Sequence, residues 1–234
     1  MAFENRAEAG RMLASRLDKY RGQRPLVLAI PRGAVPMGKI AADALDGELD
    51  VVLVRKLRAP DNPELAIGSI DETGTVYLDP EARDLWSEPY LNTEKKTQSE
   101  TLQQRRQMYE PAGSPIDAAG RVVIVLDDGI ATGSTMIAAL RAVRARHPAK
   151  LIAATGVASV EALRLIRREA DEVVCLETPK ILYAIGYHFR DFTQVSDEDV
   201  VSTLREARRP GVATGAVSEP IAIAHETEHL GTNL

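Results

Sequence analysis

The sequence has little cysteine and few aromatic residues. Cys175 is the only cysteine among 234 residues, which excludes an intrachain disulfide and a zinc site built on several cysteines. Aromatic residues make up 4% of the chain. No apolar run reaches the length of a membrane-spanning helix, and the first ten residues lack the apolar core of a signal peptide. We therefore expect a cytoplasmic protein with no membrane partner.

Positive charge is not in excess either. The chain carries 29 lysines and arginines against 34 aspartates and glutamates, a formal net charge of −5. This balance provides no bulk attraction for nucleic acid or an anionic membrane, although a local basic cluster can still hold an anion. With 44% apolar and 27% charged residues, the composition is that of a folded domain. The length suits one domain with a small appendage.

Short apolar segments alternate with helical patterns along most of the chain. A strand over residues 26–30, a helix over 35–45 and a strand over 50–54 form a βαβ unit, which implies a parallel sheet. The alternation continues with strands over 121–126, 150–157 and 172–176 and helices over 134–147 and 159–169. We predict an α/β fold with a mainly parallel sheet of about five strands and helices on both faces.

The other segments are less regular. An amphipathic helix is predicted over residues 4–21, and a polar helix over 92–109 whose charges suit a solvated face, a dimer contact or an RNA patch. Further predictions are a hairpin of 65–70 with 75–78, a last helix opened by the S-x-x-D capping box of Ser196 and Asp199, and a loosely attached tail over 209–234.

The stretch most informative about chemistry is V-V-I-V-L-D-D-G-I-A-T-G-S-T, residues 122–135. A strand ends in two adjacent carboxylates, and a loop of small residues then opens a helix. The backbone N–H groups at that helix N-terminus favour a phosphate, and Gly133 permits close approach. Asp127 and Asp128 would repel a phosphate, and they suit sugar hydroxyls or a hydrated divalent cation instead. Ribose 5-phosphate satisfies both halves of this site.

The same stretch resembles the phosphoribosyl diphosphate (PRPP) binding motif of type I phosphoribosyltransferases, in which two acidic residues precede a few small residues and T-G-x-[ST]. The resemblance implies the fold of that family over residues 1–208, with a mainly parallel five-stranded sheet. It also implies a flexible loop at about 55–75, a helical insertion at about 80–110 and a small hood at about 177–195.

The resemblance implies roles for individual residues. Pyrophosphate would be bound by Arg32 and Gly33, in a loop that often contains a non-proline cis peptide, and by Lys56, while the adjacent Arg55 would contribute to PRPP binding. Asp127 and Asp128 would hold the ribose and, through water, Mg²⁺. The 5-phosphate loop comprises Ile130, Ala131, Thr132, Gly133, Ser134 and Thr135. The expected catalytic residues are Arg32, Lys56, Asp127 and Asp128.

The implied reaction is transfer of 5-phosphoribosyl from PRPP to an unknown, nucleobase-like acceptor with release of pyrophosphate, in a homodimer. The alternative is a PRPP or nucleotide sensor with little catalysis. Ala131 stands where the 6-oxopurine branch of the family has an aspartate that acts on the base, which puts hypoxanthine and guanine in doubt. No replacement general base is identifiable in the sequence.

Three further patterns can be explained without a binding or catalytic role. Residues 33–39 nearly match the Walker A motif, but Ile40 lacks the hydroxyl that binds Mg²⁺ and Pro36 removes an N–H group. An H-E-x-x-H match at 225–229 lies in the tail and lacks a third metal ligand downstream. The aromatic residues between positions 181 and 192 form either a stacking wall for a flat acceptor or an ordinary small core; they are Tyr183, Tyr187, Phe189 and Phe192.

Overall fold

The computed structural model describes residues 3–62, 65–78 and 86–208. The helices and strands in chain order are α1 (Arg6–Arg16), β1 (Leu26–Ala29), α2 (Ala34–Ala44), β2 (Glu48–Val51), β3 (Val54–Arg58), β4 (Ala66–Asp71), β5 (Val76–Leu78), α3 (Glu88–Tyr109), β6 (Val122–Ile130), α4 (Ser134–Arg144), β7 (Lys150–Ala158), α5 (Val160–Ile166), β8 (Glu172–Glu177) and α6 (Asp197–Ala207).

Five strands form a wholly parallel sheet in the order β2-β1-β6-β7-β8. Their apolar runs are unbroken because both faces of the sheet are covered: every residue of β1 is buried. Helices α1 and α2 cover one face with side chains such as Leu13, and α4 and α5 cover the other with side chains such as Leu140. The predicted α/β architecture with a five-stranded parallel sheet is confirmed.

The register of the central strands determines where the two motif loops lie. Ala29, the last residue of β1, pairs with Leu126 of β6, which continues to Ile130. The residues that follow this pair, 30–33 and 127–133, therefore lie next to each other, at the edge of the sheet where α/β proteins bind their ligands.

A second sheet interrupts the alternation. Strands β3, β4 and β5 form an antiparallel sheet, and the predicted hairpin of 65–70 with 75–78 is confirmed as β4 and β5. The single strand predicted over 50–54 is wrong, because β2 ends at Val51 and β3 begins at Val54. Val52 and Leu53 are buried between the two sheets. An apolar run records burial and does not mark where a chain changes its pairing partner.

A buried charge network holds the second sheet and α3 against the core. Asp50 is 1% exposed and accepts hydrogen bonds from the N–H groups of Val51 and Ile116. Its carboxylate lies 3.2 Å from Arg208 and 3.7 Å from Arg106. Arg106 also forms an ion pair with Glu72 at the β4–β5 turn. The described part of the segment 55–75, expected to be flexible, thus contributes to a sheet with a buried anchor, and the motion of this segment remains a prediction.

The remaining elements agree with the sequence in part. The predicted polar helix is α3, which is 22 residues long, and the capping box of Ser196 and Asp199 opens α6 as expected. Residues 33–39 belong mostly to α2, where Gly38 packs closely against Leu49 and leaves no cradle for a phosphate. Within the described ranges, no helix has the length and apolarity needed to cross a membrane. The tail, with its H-E-x-x-H match, lies outside the described residues.

Candidate functional site

The two loops predicted to bind one ligand are in contact. A Cβ atom on Gly33 would lie only 2.1 Å from Oδ2 of Asp128, so glycine is needed here for space. The backbone of Gly33 is helical, with φ −57°, and alanine would be compatible with it. The peptide bond between Pro31 and Arg32 is cis. This agrees with the expectation taken from the family's pyrophosphate loop.

The two motif acids have different environments. Asp127 Oδ1 accepts a hydrogen bond of 2.9 Å from the N–H of Asp128. Burial, together with the neighbouring charge of Asp128, raises the pKa of Asp127 well above its usual range. Asp128 Oδ2 instead accepts from Arg6 Nε at 2.8 Å. The carboxylate oxygens of the pair can therefore accept hydrogen bonds from adjacent hydroxyl groups.

Arg6 is a site residue that the sequence did not reveal. It begins α1, Nη1 donates to the Thr193 carbonyl at 2.7 Å, and its guanidinium lies 3.8 Å from the ring centroid of Phe192. These contacts join the start of the chain to the hood segment and to Asp128. The local signal is only that of a helix start, with Asn5 as the N-cap, because the partners are more than 120 residues away.

The loop before α4 is mostly exposed, although Gly133 itself is buried. Gly133 has φ +84°, a left-handed conformation that favours glycine, and no side chain caps the helix N-terminus. Ala131, Thr132 and Thr135 are exposed, and the hydroxyls of Thr132 and Ser134 are 3.2 Å apart. The first N–H groups of α4 and these hydroxyls are available to an anion.

Other residues shape this loop. Ser159 donates through Oγ to the Ala131 carbonyl at 2.7 Å, which fixes the loop against the start of α5. The side chain of Ile130 is 3% exposed and belongs to the core, so only its backbone faces the loop. Ile185 of the hood packs directly on Gly129, where a Cβ would lie 2.2 Å from it.

Arg32 is held by Asp197, which is itself held by Tyr109, and sequence reasoning assigned neither residue to the site. Its Nη1 lies 3.3 Å from Asp197 Oδ2, at the start of α6. The Tyr109 hydroxyl donates to the other oxygen of Asp197 at 2.7 Å. Burial and this hydrogen bond raise the pKa of Tyr109, so the phenol remains protonated. The ends of α3 and α6 thus fix the arginine expected to bind pyrophosphate.

The other two predicted cations lie on a separate wall. Arg55 and Lys56 belong to β3 and line a cleft of about 430 Å³ that also touches Pro31 and Thr135. Arg55 Nε donates to Gln98 Oε1 at 3.0 Å. The structure therefore places them beside both predicted phosphate loops, in a cleft separate from the pocket that Arg6 lines.

The donor set suits a metal that keeps most of its water. Among the described residues no group of three or more histidine, cysteine, aspartate or glutamate side chains could hold a metal ion. The two adjacent acids, Asp127 and Asp128, fit Mg²⁺, which is typically bound by one or two carboxylates together with substrate phosphates.

The hood aromatics do not form one wall. Phe189 is buried, stacks on Phe192 with 4.9 Å between ring centroids, and also contacts Phe3. Tyr183 and Tyr187 are 80% and 78% exposed. The small-core explanation holds for the phenylalanines, while Phe192 also lines a pocket with Arg6, Arg32 and Asp128.

Comparisons with known proteins agree with this geometry. The family model of the phosphoribosyl transferase domain matches residues 3–190. Two Mycobacterium tuberculosis proteins, from strains H37Rv and CDC 1551 and both named "Putative phosphoribosyl transferase", are 38% identical over 225 residues, covering 92% of this chain and 49% of theirs. The chain thus spans about half the length of these curated relatives. The crystal structure of TT1426 from Thermus thermophilus is 41% identical, with a TM-score of 0.83 over 88% of this chain and 99% of that one.

Proposed function

Because this chain belongs to the phosphoribosyl transferase domain family, we propose that it binds PRPP with Mg²⁺ and transfers the 5-phosphoribosyl group to a nucleobase-like acceptor, releasing pyrophosphate. The family is shown by the domain match and by the relatives. The substrate, the metal and the residue roles are our proposal.

One observation carries the proposal: an uncapped helix N-terminus closely follows a pair of adjacent acids at the end of one strand. The uncapped N–H groups at the start of α4, around residues 132–135, suit the 5-phosphate, which carries the charge that a helix N-terminus favours. Asp127 and Asp128 suit the 2- and 3-hydroxyls of the ribose. This pairing of an anion site with a diol site matches one end of PRPP.

The other end of PRPP would lie toward the loop after β1. The cis peptide and Gly33 bring the backbone of this loop against Asp128, and Arg32 supplies a guanidinium for charge-assisted hydrogen bonds. Asp127 and Asp128 would hold Mg²⁺ through water. When bound, Mg²⁺ would supply positive charge that stabilises the departing pyrophosphate.

Positive charge builds up at the anomeric carbon as the pyrophosphate departs. Fixed carboxylates near the ribose, such as Asp128 held by Arg6, stabilise this charge without reorganisation. The acceptor would approach from the pocket of about 510 Å³ that Arg6, Asp128, Ile185 and Phe192 line. Ala131 offers no proton-accepting group, so we assign no general base.

The test is release of pyrophosphate from PRPP and Mg²⁺ in the presence of a panel of purine, pyrimidine and pyridine bases. We expect one acceptor to support turnover, and Asp128→Asn to lower kcat/KM for PRPP by at least about tenfold, the value of a lost charge-assisted contact. Tight PRPP binding with no turnover on any base would favour the sensor. Absence of PRPP binding would contradict both the transferase and the sensor.

A further inference from the structure

The face of α3 that meets β3 differs from the solvated face suggested by its sequence. The cleft of about 430 Å³ lies between these two elements, and four cationic side chains line it. Arg55, Lys56 and Arg58 come from β3, and Arg105 comes from α3. Such a concentration is unexpected in a chain with a net charge of −5.

Among the described residues, most of these cations have no ion pair of the kind that neighbouring arginines form, and Arg55 has the charge of a carboxylate, Glu94, acting on it. Arg106, the next residue along α3, is paired with Glu72. In the ranges that the structure describes, no carboxylate forms an ion pair with Lys56, Arg58 or Arg105. The nearby carboxylate of Glu94 accepts from the Arg58 backbone N–H and from the Gln98 side chain.

The guanidinium groups also lie close enough to repel one another. Burial lowers the pKa of Arg55, and the charges of Arg58 and Arg105 lower it further. Gln98, which is 4% exposed, bonds Arg55 Nε and holds its side chain along the cleft. Like charges held together in a partly buried cleft favour binding of an anion that spans them.

The surroundings indicate which anion would fit. Pro31, in the loop assigned to pyrophosphate, lines the cleft, as does the hydroxyl-bearing Thr135. Thr101 also lines the cleft, although its hydroxyl donates to the Thr97 carbonyl. A guanidinium group binds two phosphate oxygens at once, so several guanidinium groups beside the Thr135 hydroxyl suit two linked phosphates better than one.

We propose that α3 supplies a diphosphate-binding residue, Arg105, which closes the cleft opposite β3 and binds the pyrophosphate end of the substrate. The proposal rests on the proposed function for the identity of that substrate. It gives the helical insertion, α3, a direct role in binding through the guanidinium of Arg105.

The experiment is isothermal titration of the whole chain with inorganic pyrophosphate and, separately, with PRPP, each with Mg²⁺. Arg105→Gln removes the charge, and Arg105→Lys keeps the charge but loses the paired donors. Lys96→Gln is the matched control, because Lys96 lies on the same helix with a side chain 78% exposed and outside the cleft. Thermal unfolding of each variant verifies that it is folded.

We expect Arg105→Gln to weaken pyrophosphate and PRPP binding by about tenfold. The affinity of Arg105→Lys should lie between those of Arg105→Gln and the wild type, and Lys96→Gln should bind like the wild type. Unchanged binding of both ligands by folded Arg105→Gln would overturn the role of Arg105 and leave the proposed function intact. Pyrophosphate binding that depends on Arg105, in a protein without affinity for PRPP, would support the anion site and overturn the proposed substrate.

Discussion

Replacing Gly33 by alanine tests the contact between the two loops of the candidate site. The backbone of Gly33 is helical, so alanine introduces no conformational strain, and its only penalty is the new methyl group. That methyl would lie 2.1 Å from Asp128 Oδ2 and 3.0 Å from Arg6 Nη2. Since non-bonded heavy atoms settle about 3.5 Å apart, the carboxylate or the loop must move by about 1 Å or more.

A displacement of this size matters for binding more than for folding. Misplacing a substrate-positioning group by about 1 Å can cost about a hundredfold in rate, so we expect Gly33→Ala to weaken PRPP binding by between about tenfold and a hundredfold. The thermal midpoint should change little, because the Asp128 side chain can turn toward the pocket. The assay is titration with PRPP and Mg²⁺, alongside thermal unfolding.

A double-mutant cycle isolates the cause. In an Asp128→Ala background the carboxylate that clashes with the new methyl group is absent, so Gly33→Ala should cost less than about twofold in PRPP affinity. An equal penalty in both backgrounds would refute the reasoning, because the effect of the methyl group would then not pass through Asp128.

Three further predictions concern the acids around the site. The pKa of Asp127 is raised in the folded state, so the folded protein binds more protons than the unfolded chain between the two pKa values, and stability falls as pH rises through that window. Asp127→Asn should therefore raise the thermal midpoint above that of the wild type, and by more at about pH 7.5 than at about pH 4. The same variant should bind PRPP more weakly. A gain in thermal midpoint that is equal at both pH values would contradict this prediction. Asp50→Ala leaves two partly buried arginines and two N–H groups without their buried partner, and it should lower the free energy of urea unfolding by about 3 kcal/mol. A loss below about 1 kcal/mol would show that the network is not tightly coupled. Asp197→Asn should raise KM for PRPP by about five- to tenfold, because Arg32 loses its ion pair. The control, Glu198→Gln, should leave KM unchanged. Equal effects of the two substitutions would show that KM responds to any change at the start of α6 and not to the contact with Arg32.

The sequence indicated the parallel sheet well because its strands are buried on both faces and read as uninterrupted apolar runs. It failed at residues 50–54, where buried Val52 and Leu53 continue the run although the chain passes from one sheet to the other. The second sheet was visible only as a hairpin, since β3 carries three cationic side chains and lacks the apolar signature of a strand.

The motif located the acids and the phosphate loop because one local segment, from β6 into α4, contains both. Arg6, Tyr109 and Asp197 could not be found in this way. Each of these residues lies at the end of a helix that is distant in sequence from the motif. In a sequence, an arginine or aspartate within a helical pattern is predicted to be exposed to solvent. What links them to the site is tertiary packing, such as the contact of Arg6 with Phe192.

A crystal structure of the protein soaked with PRPP and Mg²⁺ tests the central claim most directly. We predict density for the 5-phosphate on the backbone N–H groups of residues 132–135 and for the ribose hydroxyls on Asp127 and Asp128. Density for PRPP elsewhere, or an empty loop at a concentration that saturates the protein in solution, would contradict the account.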